Sequence, residues 1–443
     1  MHDQEIDIKT VAPGNSGDEN EVRLQPEEIE AISQACRESD DEYRRLYQRN
    51  IKNKYETKKA GKLTKALAFL YLIALAVFAA NITTMEVLPL KHLSVIILCV
   101  AAISVVVVAE LCRSNVRTWI RVLMSLLCIA LIAVYCVGSL YIIRTKDFLD
   151  ITTEESQKKV ESLTYEPFNV MITGIDVSGT IDEKGRSDVN MLVTVNPNTS
   201  QILMTSIPRD YMIYMPDKNY EMDKLTHTGN YGVDTTIQAE EDLLRTEINY
   251  YVKVNFTTVE KFIDAIGGVD VYSEYTFSAQ YSPWTFYEGM NHLNGEQALA
   301  FARERKAFEA GDNQRIKNQQ AVVEAVIKKA TSSREMLLKY SNIVSSLKDY
   351  IKMSISSAEI KELIRMQISE NPDWKIYKYS LRGEGDMLQT YSSQEYLYVM
   401  TRDQKSVSKA RELISGVLEG KELTKADDGS LSFAEPEPEE GEN

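Results

Sequence analysis

Cysteine is absent after residue 136 of this 443-residue chain; the five present are Cys36, Cys99, Cys112, Cys128 and Cys136. No disulfide can therefore staple the C-terminal region, which is long enough to bury a core without one. No Cys-x-x-Cys pair or Cys/His spacing of a structural metal centre occurs, so the cysteines read as small apolar residues in or near apolar segments. Gly-x-Ser-x-Gly and His-Glu-x-x-His are also missing, which removes the nucleophile-elbow hydrolases and the zinc metalloproteases. Gly179-Thr-Ile-Asp-Glu-Lys-Gly-Arg-Ser187 imitates a phosphate loop, but its spacer is five residues and arginine stands in place of the lysine. Ser156-Gln-Lys-Lys159 satisfies Ser-x-x-Lys without its companion motifs. An excess of positive charge is lacking too: the net charge of −15 disfavours nucleic acid as a partner.

Long apolar runs, by contrast, are present three times, near Ala66–Ile82, Leu93–Ala109 and Val122–Ile143. Each approaches the roughly 20 residues that a helix needs to cross a bilayer. Nine lysines and arginines from Arg44 to Lys65 precede the first run, and Arg113, Arg117 and Arg121 separate the second from the third. The loop from Thr83 to His92 offers only Lys91. The positive-inside rule then expects a multi-pass membrane protein with its N-terminus in the cytoplasm and everything after Ile143 outside the cell. Residues 1–62 read as a cytoplasmic arm in which Pro26 opens a short amphipathic helix. Residues 63–145 form the membrane segment, 146–166 a juxtamembrane linker, and 167–421 one folded domain. The ends, Asp3–Glu42 and the tail at 422–443, are rich in acids and read as disordered.

From Phe168 the pattern is α/β. Phe168–Thr173, Asn190–Val195 and Gln201–Ile207 are short and almost continuously apolar, the signature of strands buried on both faces, and Asn196-Pro-Asn-Thr-Ser200 turns the last two into a hairpin. Helices are expected over Thr235–Thr246, Thr258–Ile266, Gly295–Arg303, Asp312–Lys329, Arg334–Tyr350, Ser357–Ile368 and Ser406–Leu418, with strands at Tyr250–Phe256 and Trp374–Ser380. One αβα domain accounts for this order.

The chemistry gathers in Phe301-Ala-Arg-Glu-Arg305, Gly311-Asp-Asn-Gln-Arg315 and Gln319. Guanidinium forks grip phosphate oxygens in pairs, so such a run suits a multiply charged anion. Gly174-Ile-Asp176, Gly185-Arg-Ser-Asp188 and Ile207-Pro-Arg-Asp210 add carboxylates and arginines at the ends of apolar runs, where α/β sheets bind ligands. With Lys224-Leu, Tyr250–Phe256, Ile266-Gly-Gly-Val-Asp270 and His292–Leu299, these segments occur in the order found in LytR-CpsA-Psr (LCP) proteins. Over Phe168–Lys421 the chain resembles that family of cell-wall glycopolymer transferases.

The resemblance implies an extracellular αβα catalytic domain that takes a glycopolymer, of teichoic acid or capsular polysaccharide type, from a polyprenyl-pyrophosphate carrier and transfers it to peptidoglycan. It implies Mg2+ held by Asp176 and Asp188. Arg186, Arg209, Arg303, Arg305 and Arg315 would contact the pyrophosphate, with Gln319 beside the head group and Lys224 at the mouth of the site. Asp312 would help activate the acceptor hydroxyl, although a helix cap is the plainer reading of an Asp there. His227 and His292 read as structural histidines, and Asp210 as a brace for its turn or a neighbouring arginine. Two rivals are a membrane sensor that binds such lipids without turnover and a hydrolase that only cleaves the carrier.

Overall fold

The computed structural model describes residues 26–55, 61–85, 90–113, 118–152, 158–181, 184–331 and 349–434, together with residues 156 and 347. Most of the expected helix at Arg334–Tyr350, and the tail beyond residue 434, lie outside the described residues. Helix α1 (Pro26–Tyr55) spans 30 residues, far more than the short amphipathic start read from Pro26. Helices α2 (Lys62–Met85), α3 (Leu90–Cys112) and α4 (Thr118–Thr152) each contain a stretch long and apolar enough to cross a membrane. They pack on one another, and a knot of hydroxyls joins all three: Tyr71 Oη lies 2.8 Å from Ser104 Oγ and 3.2 Å from Tyr135 Oη.

A six-stranded mixed sheet organises the rest. β1 (Phe168–Ile175), β2 (Ser187–Asn196) and β3 (Gln201–Ser206) run antiparallel in sequence. β6 (Tyr250–Asn255) joins β1 in parallel. The short β11 (Lys352–Met353) borders β6, and β12 (Lys375–Ser380) pairs in parallel with β3 at the other edge, giving the order β11-β6-β1-β2-β3-β12. Alternation along the strands sends Met171, Leu192 and Leu203 to one face and Val170, Val193 and Ile202 to the other. Helices α5 (Leu225–Thr228), α6 (Val233–Leu244) and α11 (Gln404–Leu418) belong to the first face. Helices α9 (Asp312–Thr331) and α10 (Ser357–Glu370) supply Val323, Ile327 and Leu363 to the second. The αβα sandwich is therefore observed.

A side lobe with its own core holds α7 (Phe256–Ala265), α8 (Gly295–Arg303), the paired β7 (Val269–Ser273) and β10 (Gly289–Leu293), and the small hairpin β8 (Phe277–Ser278) and β9 (Thr285–Phe286). Asn255 and Asn294 start α7 and α8 with reciprocal side-chain and backbone caps to Thr258 and Gln297. Two hairpins, β4 (Met212–Met215) with β5 (Glu221–Lys224) and β13 (Gly383–Gln389) with β14 (Tyr396–Arg402), lie beyond the end of β3.

Two expected boundaries are corrected. The domain does not end at residue 421: β15 (Leu423–Lys425) and β16 (Leu431–Phe433) form a hairpin whose Leu423 and Leu431 enter the core. The 146–166 linker divides between α4, which continues to Thr152, and the domain, where Leu163 is fully buried beside Phe168.

Candidate active site

Asp188 owes its position to a β-bulge. Gly174 faces Val189 and Ile175 faces Ser187, so Asp188 is the extra residue on β2, turned out of the ladder. Beneath it, Ser187 Oγ bonds Thr173 Oγ1 at 2.6 Å and Asn190 Oδ1 at 2.5 Å, a buried polar network that holds the bulge. Gly229 seals the same loop: a Cβ there would fall 2.3 Å from the Gly185 carbonyl oxygen and 2.9 Å from the Ser187 nitrogen.

Arg209 stands in the turn after β3, where the Tyr211 N–H donates to the Pro208 carbonyl. Its Nη1 donates to Asp188 Oδ2 at 2.7 Å, while Thr226 Oγ1 donates to Asp188 Oδ1 at 3.2 Å. Arg209 Nε lies 3.7 Å from Asp210 Oδ2, and Lys224 Nζ donates to Asp210 Oδ1 at 3.0 Å. Asp210 is thus the brace expected, and it connects Lys224 to Arg209.

Arg315 is buried on the first turn of α9, its Nη2 2.7 Å from Asp312 Oδ1. Asp312 is the first residue of α9 and forms an ion pair forward with Arg315, a contact different from the helix cap that was its alternative reading. Burial holds the Arg315 guanidinium below its ordinary pKa; Asp312 and Asp188 oppose this, while nearby Arg209 and Arg305 add to it. Burial acts on Arg209 in the same sense, but Asp188, Asp210 and Asp312 outweigh it and raise the value. These mutual influences bring three guanidinium groups and three carboxylates into one charge cluster. The Nε atoms of Arg209 and Arg315 are buried without a hydrogen-bond acceptor. Such donors are costly to leave unmade, and an anion seated between the arginines would satisfy both.

The remaining residues stand around this centre. Arg305 is exposed at the head of the loop between α8 and α9. Arg303 is exposed with its guanidinium 4.1 Å above the Phe256 ring, a cation–π contact. Gln319 is half-buried one helical turn after Arg315. Asp176 and Arg186 are exposed at the ends of the paired strands β1 and β2, the Asp176 N–H donating to the Arg186 carbonyl. Asp176 and Asp188 supply only hard oxygen donors from adjacent strand ends. That set fits Mg2+, which binds through one or two carboxylates and completes its shell with phosphate oxygens and water. Among the described residues no three His, Cys, Asp or Glu side chains form a metal cluster.

His227 is buried, its Nδ1 2.6 Å from Asp223 Oδ1, in keeping with a structural role. His292 makes a comparable 2.7 Å contact with Asp270 but at the surface. Sequence reasoning missed Glu304. Its buried carboxylate accepts backbone N–H groups from Arg305, Lys306 and Ala307 on Oε1 and from Gln280 on Oε2, shaping the loop that presents Arg305. Its only signal was its place between two arginines.

The LytR_cpsA_psr family profile matches residues 140–412, more than half of the chain. The chain belongs to the LytR-CpsA-Psr family. A polyisoprenyl-teichoic acid–peptidoglycan teichoic acid transferase TagU of Bacillus mycoides (strain KBAB4) is 34% identical over 221 residues, covering 50% of this chain and 69% of that protein. The TagU of Bacillus anthracis (strain CDC 684 / NRRL 3495) is 35% identical over 199 residues, 45% of this chain and 64% of its own length. The crystal structure of B. subtilis TagV aligns with a TM-score of 0.48 at 28% identity, covering 58% of this LCP chain and 99% of that one.

Proposed function

We propose that this LCP protein transfers a glycopolymer of teichoic acid or capsular polysaccharide type from a polyprenyl-pyrophosphate carrier to peptidoglycan on the outer face of the membrane. The observation that carries the reading is the cluster of Arg209, Arg305 and Arg315, in which the buried Nε atoms of Arg209 and Arg315 make no hydrogen bond within the protein. The activity in the names of the TagU relatives supports it. So do the three apolar helices, which hold the domain at the surface where a lipid-linked donor resides.

Arg209 and Arg315 grip the diphosphate through fixed forks, and Arg305 and Arg186 neutralise its outer oxygens. Lys224 holds Asp210 and so keeps Arg209 turned inward. The acceptor hydroxyl oxygen forms a bond to the polymer-bearing phosphorus. The bond from that phosphorus to the bridging oxygen breaks, polyprenyl phosphate leaves, and the hydroxyl proton passes to Asp312. Mg2+, when held by Asp176 and Asp188, supplies further charge neutralisation at the phosphoryl oxygens.

The test uses the full chain in lipid nanodiscs with a labelled polyprenyl-pyrophosphate oligosaccharide, Mg2+ and peptidoglycan, beside Arg209→Ala and Asp188→Ala. Label on peptidoglycan with the unsubstituted protein alone supports transfer. Free glycan phosphate indicates a hydrolase. Tight donor binding without turnover, unchanged by Asp188→Ala, indicates a sensor.

A further inference from the structure

Asp223, at the third position of β5, is fully buried. Successive strand residues point to opposite faces, so it turns away from the side on which Lys224 reaches Asp210. Its Oδ1 accepts the Lys224 N–H at 2.7 Å and lies 2.6 Å from His227 Nδ1, and its Oδ2 accepts the Ser392 N–H at 2.9 Å. Ser392 Oγ stands 2.8 Å from the same His227 nitrogen. Burial pushes the Asp223 carboxyl up, but the bonds from His227 and Ser392 outweigh it and hold the group below its ordinary value. An ionised carboxylate only accepts, so His227 Nδ1 carries the proton that faces it. Taking a carboxylate wholly out of water is costly. An apolar side chain opposite Ile213 would fill the same place without that cost.

What the carboxylate fixes is the segment that follows it, and residues 223–229 meet the active site at three points. Lys224 Nζ reaches Asp210, which faces Arg209. Thr226 reaches Asp188 through Oγ1 at 3.2 Å and the Arg209 carbonyl through its N–H at 2.8 Å. Gly229 packs on the Gly185 carbonyl, beside the bulge that turns Asp188 out. From behind, the segment is tied to the turn between β13 and β14 that holds Ser392, where the Tyr391 N–H also donates to the Met222 carbonyl at 3.1 Å. At the other end of that hairpin, the Met400 N–H donates to the Asp210 carbonyl at 2.7 Å and Arg402 Nε to the Met212 carbonyl at 2.8 Å. The β13–β14 hairpin is thus a splint across β4–β5, fixed near Arg209 at one end and at Asp223 at the other.

The geometry points to Asp223 as a positioning residue: with His227 it fastens the segment 223–229 to Ser392 on the β13–β14 turn, and so sets where Thr226 and Lys224 hold Asp188 and Asp210 against Arg209. Its effect on turnover rests on the transferase reading; the fastening of the segment does not.

The experiment compares the full chain in nanodiscs with Asp223→Asn, Ser392→Ala and, as a control, Asp217→Asn. An asparagine at 223 cannot accept on both sides: with its oxygen toward Lys224 and His227, its amide meets the Ser392 N–H donor to donor. Transfer kcat is expected to fall by about 10- to 100-fold with donor KM within about threefold, because Arg209 and Arg315 keep their charge. Hydrogen exchange at the Leu225 and Thr226 amides, which donate to the Tyr211 and Arg209 carbonyls, is expected to quicken by about tenfold or more. Ser392→Ala, at an exposed position, removes one contact on His227 Nδ1 and should lower kcat about threefold. Asp217→Asn removes a carboxylate tie in the turn between β4 and β5, to Thr235 Oγ1 at 2.6 Å and Lys218 Nζ at 3.0 Å, and should lower the melting temperature without either effect. Unchanged kcat in Asp223→Asn, or in Ser392→Ala if Asp223→Asn does not fold, overturns the proposal. So does an equal loss of kcat in Asp217→Asn, the mark of general destabilisation. If the parent transfers nothing to peptidoglycan, the transferase reading fails and exchange decides alone: faster exchange in Asp223→Asn but not in Asp217→Asn upholds the fastening, and unchanged exchange overturns it.

Discussion

Glu304→Gln changes one atom pair and should be felt in both stability and donor recognition. The Glu304 carboxylate accepts four backbone N–H groups at 2.6 to 3.0 Å and is only 5% exposed. A glutamine can keep its carbonyl on Arg305, Lys306 and Ala307, but its amide nitrogen then faces the Gln280 N–H, donor against donor. Three charge-assisted bonds become neutral and the fourth becomes a repulsive contact, which together cost roughly 3 kcal/mol. For a domain of this size that is a fall of about 6–12 °C in thermal midpoint. The loop 304–311 then loses its template, Arg305 leaves the diphosphate, and KM for the donor rises about tenfold with a smaller change in kcat. Calorimetry and single-turnover transfer on the full chain read the two effects. A shift below about 2 °C together with an unchanged donor KM would refute the claim that this carboxylate shapes the loop.

Arg209→Lys keeps the charge but gives up the fork that joins Asp188 to the ligand, so kcat should drop by about 10²–10³ with protein yield unaffected; activity within threefold of the parent would contradict it. Gly229→Ala forces a methyl into the Gly185 carbonyl and should lower both the melting temperature and activity, whereas Gly420→Ala, at a positive φ but with the nearest atom 3.9 Å away, should lower stability alone. Glu240 is fully buried on α6 with neither carboxylate oxygen hydrogen-bonded, and burial pushes its pKa up to about 8. The folded state holds it protonated while the unfolded chain ionises near the ordinary carboxylate value, so its contribution is intact at acid pH and is lost as pH rises toward 8. Denaturation midpoints from pH 5 to 9 should fall for the parent and flatten for Glu240→Gln; parallel curves would exclude the residue as the cause.

The sheet was legible because β1, β2 and β3 are buried on both faces and so are written as apolar runs. Helix α8 runs Gly295–Arg303, the bounds expected, since Asn294 and Gln297 announce its start and an arginine closes its last turn. The hairpins were not legible. β13 reads Gly-Glu-Gly-Asp-Met-Leu-Gln and turns most of its side chains to solvent, leaving no alternation to detect. β15–β16 lies in an acidic stretch that resembles a tail, and the burial of Leu423 and Leu431 is visible only once α11 is in place. In the site, Arg209, Arg315, Asp188 and Lys224 could be named because charge at strand and helix ends is conspicuous. Glu304 and Gly229 act on backbone, one by accepting N–H groups and one by leaving room, and neither task has a side-chain pattern of its own.

The row Lys224, Asp210, Arg209, Asp188 alternates in sign along hydrogen bonds and ion pairs of 2.7 to 3.7 Å. Arg209, Lys224 and Arg315 each already own an internal counter-ion, so an arriving anion must compete with the protein's own carboxylates for them. A lone inorganic phosphate displaces one such partner and gains little. A diphosphate that reaches Arg209 and Arg315 together displaces two and recovers both buried Nε donors, so affinity climbs steeply with the second phosphorus. In the proposed reaction, cleavage would leave a monophosphate that spans only part of that distance, with Asp188 and Asp312 at hand to reclaim their arginines. The site would thereby carry its own eluant.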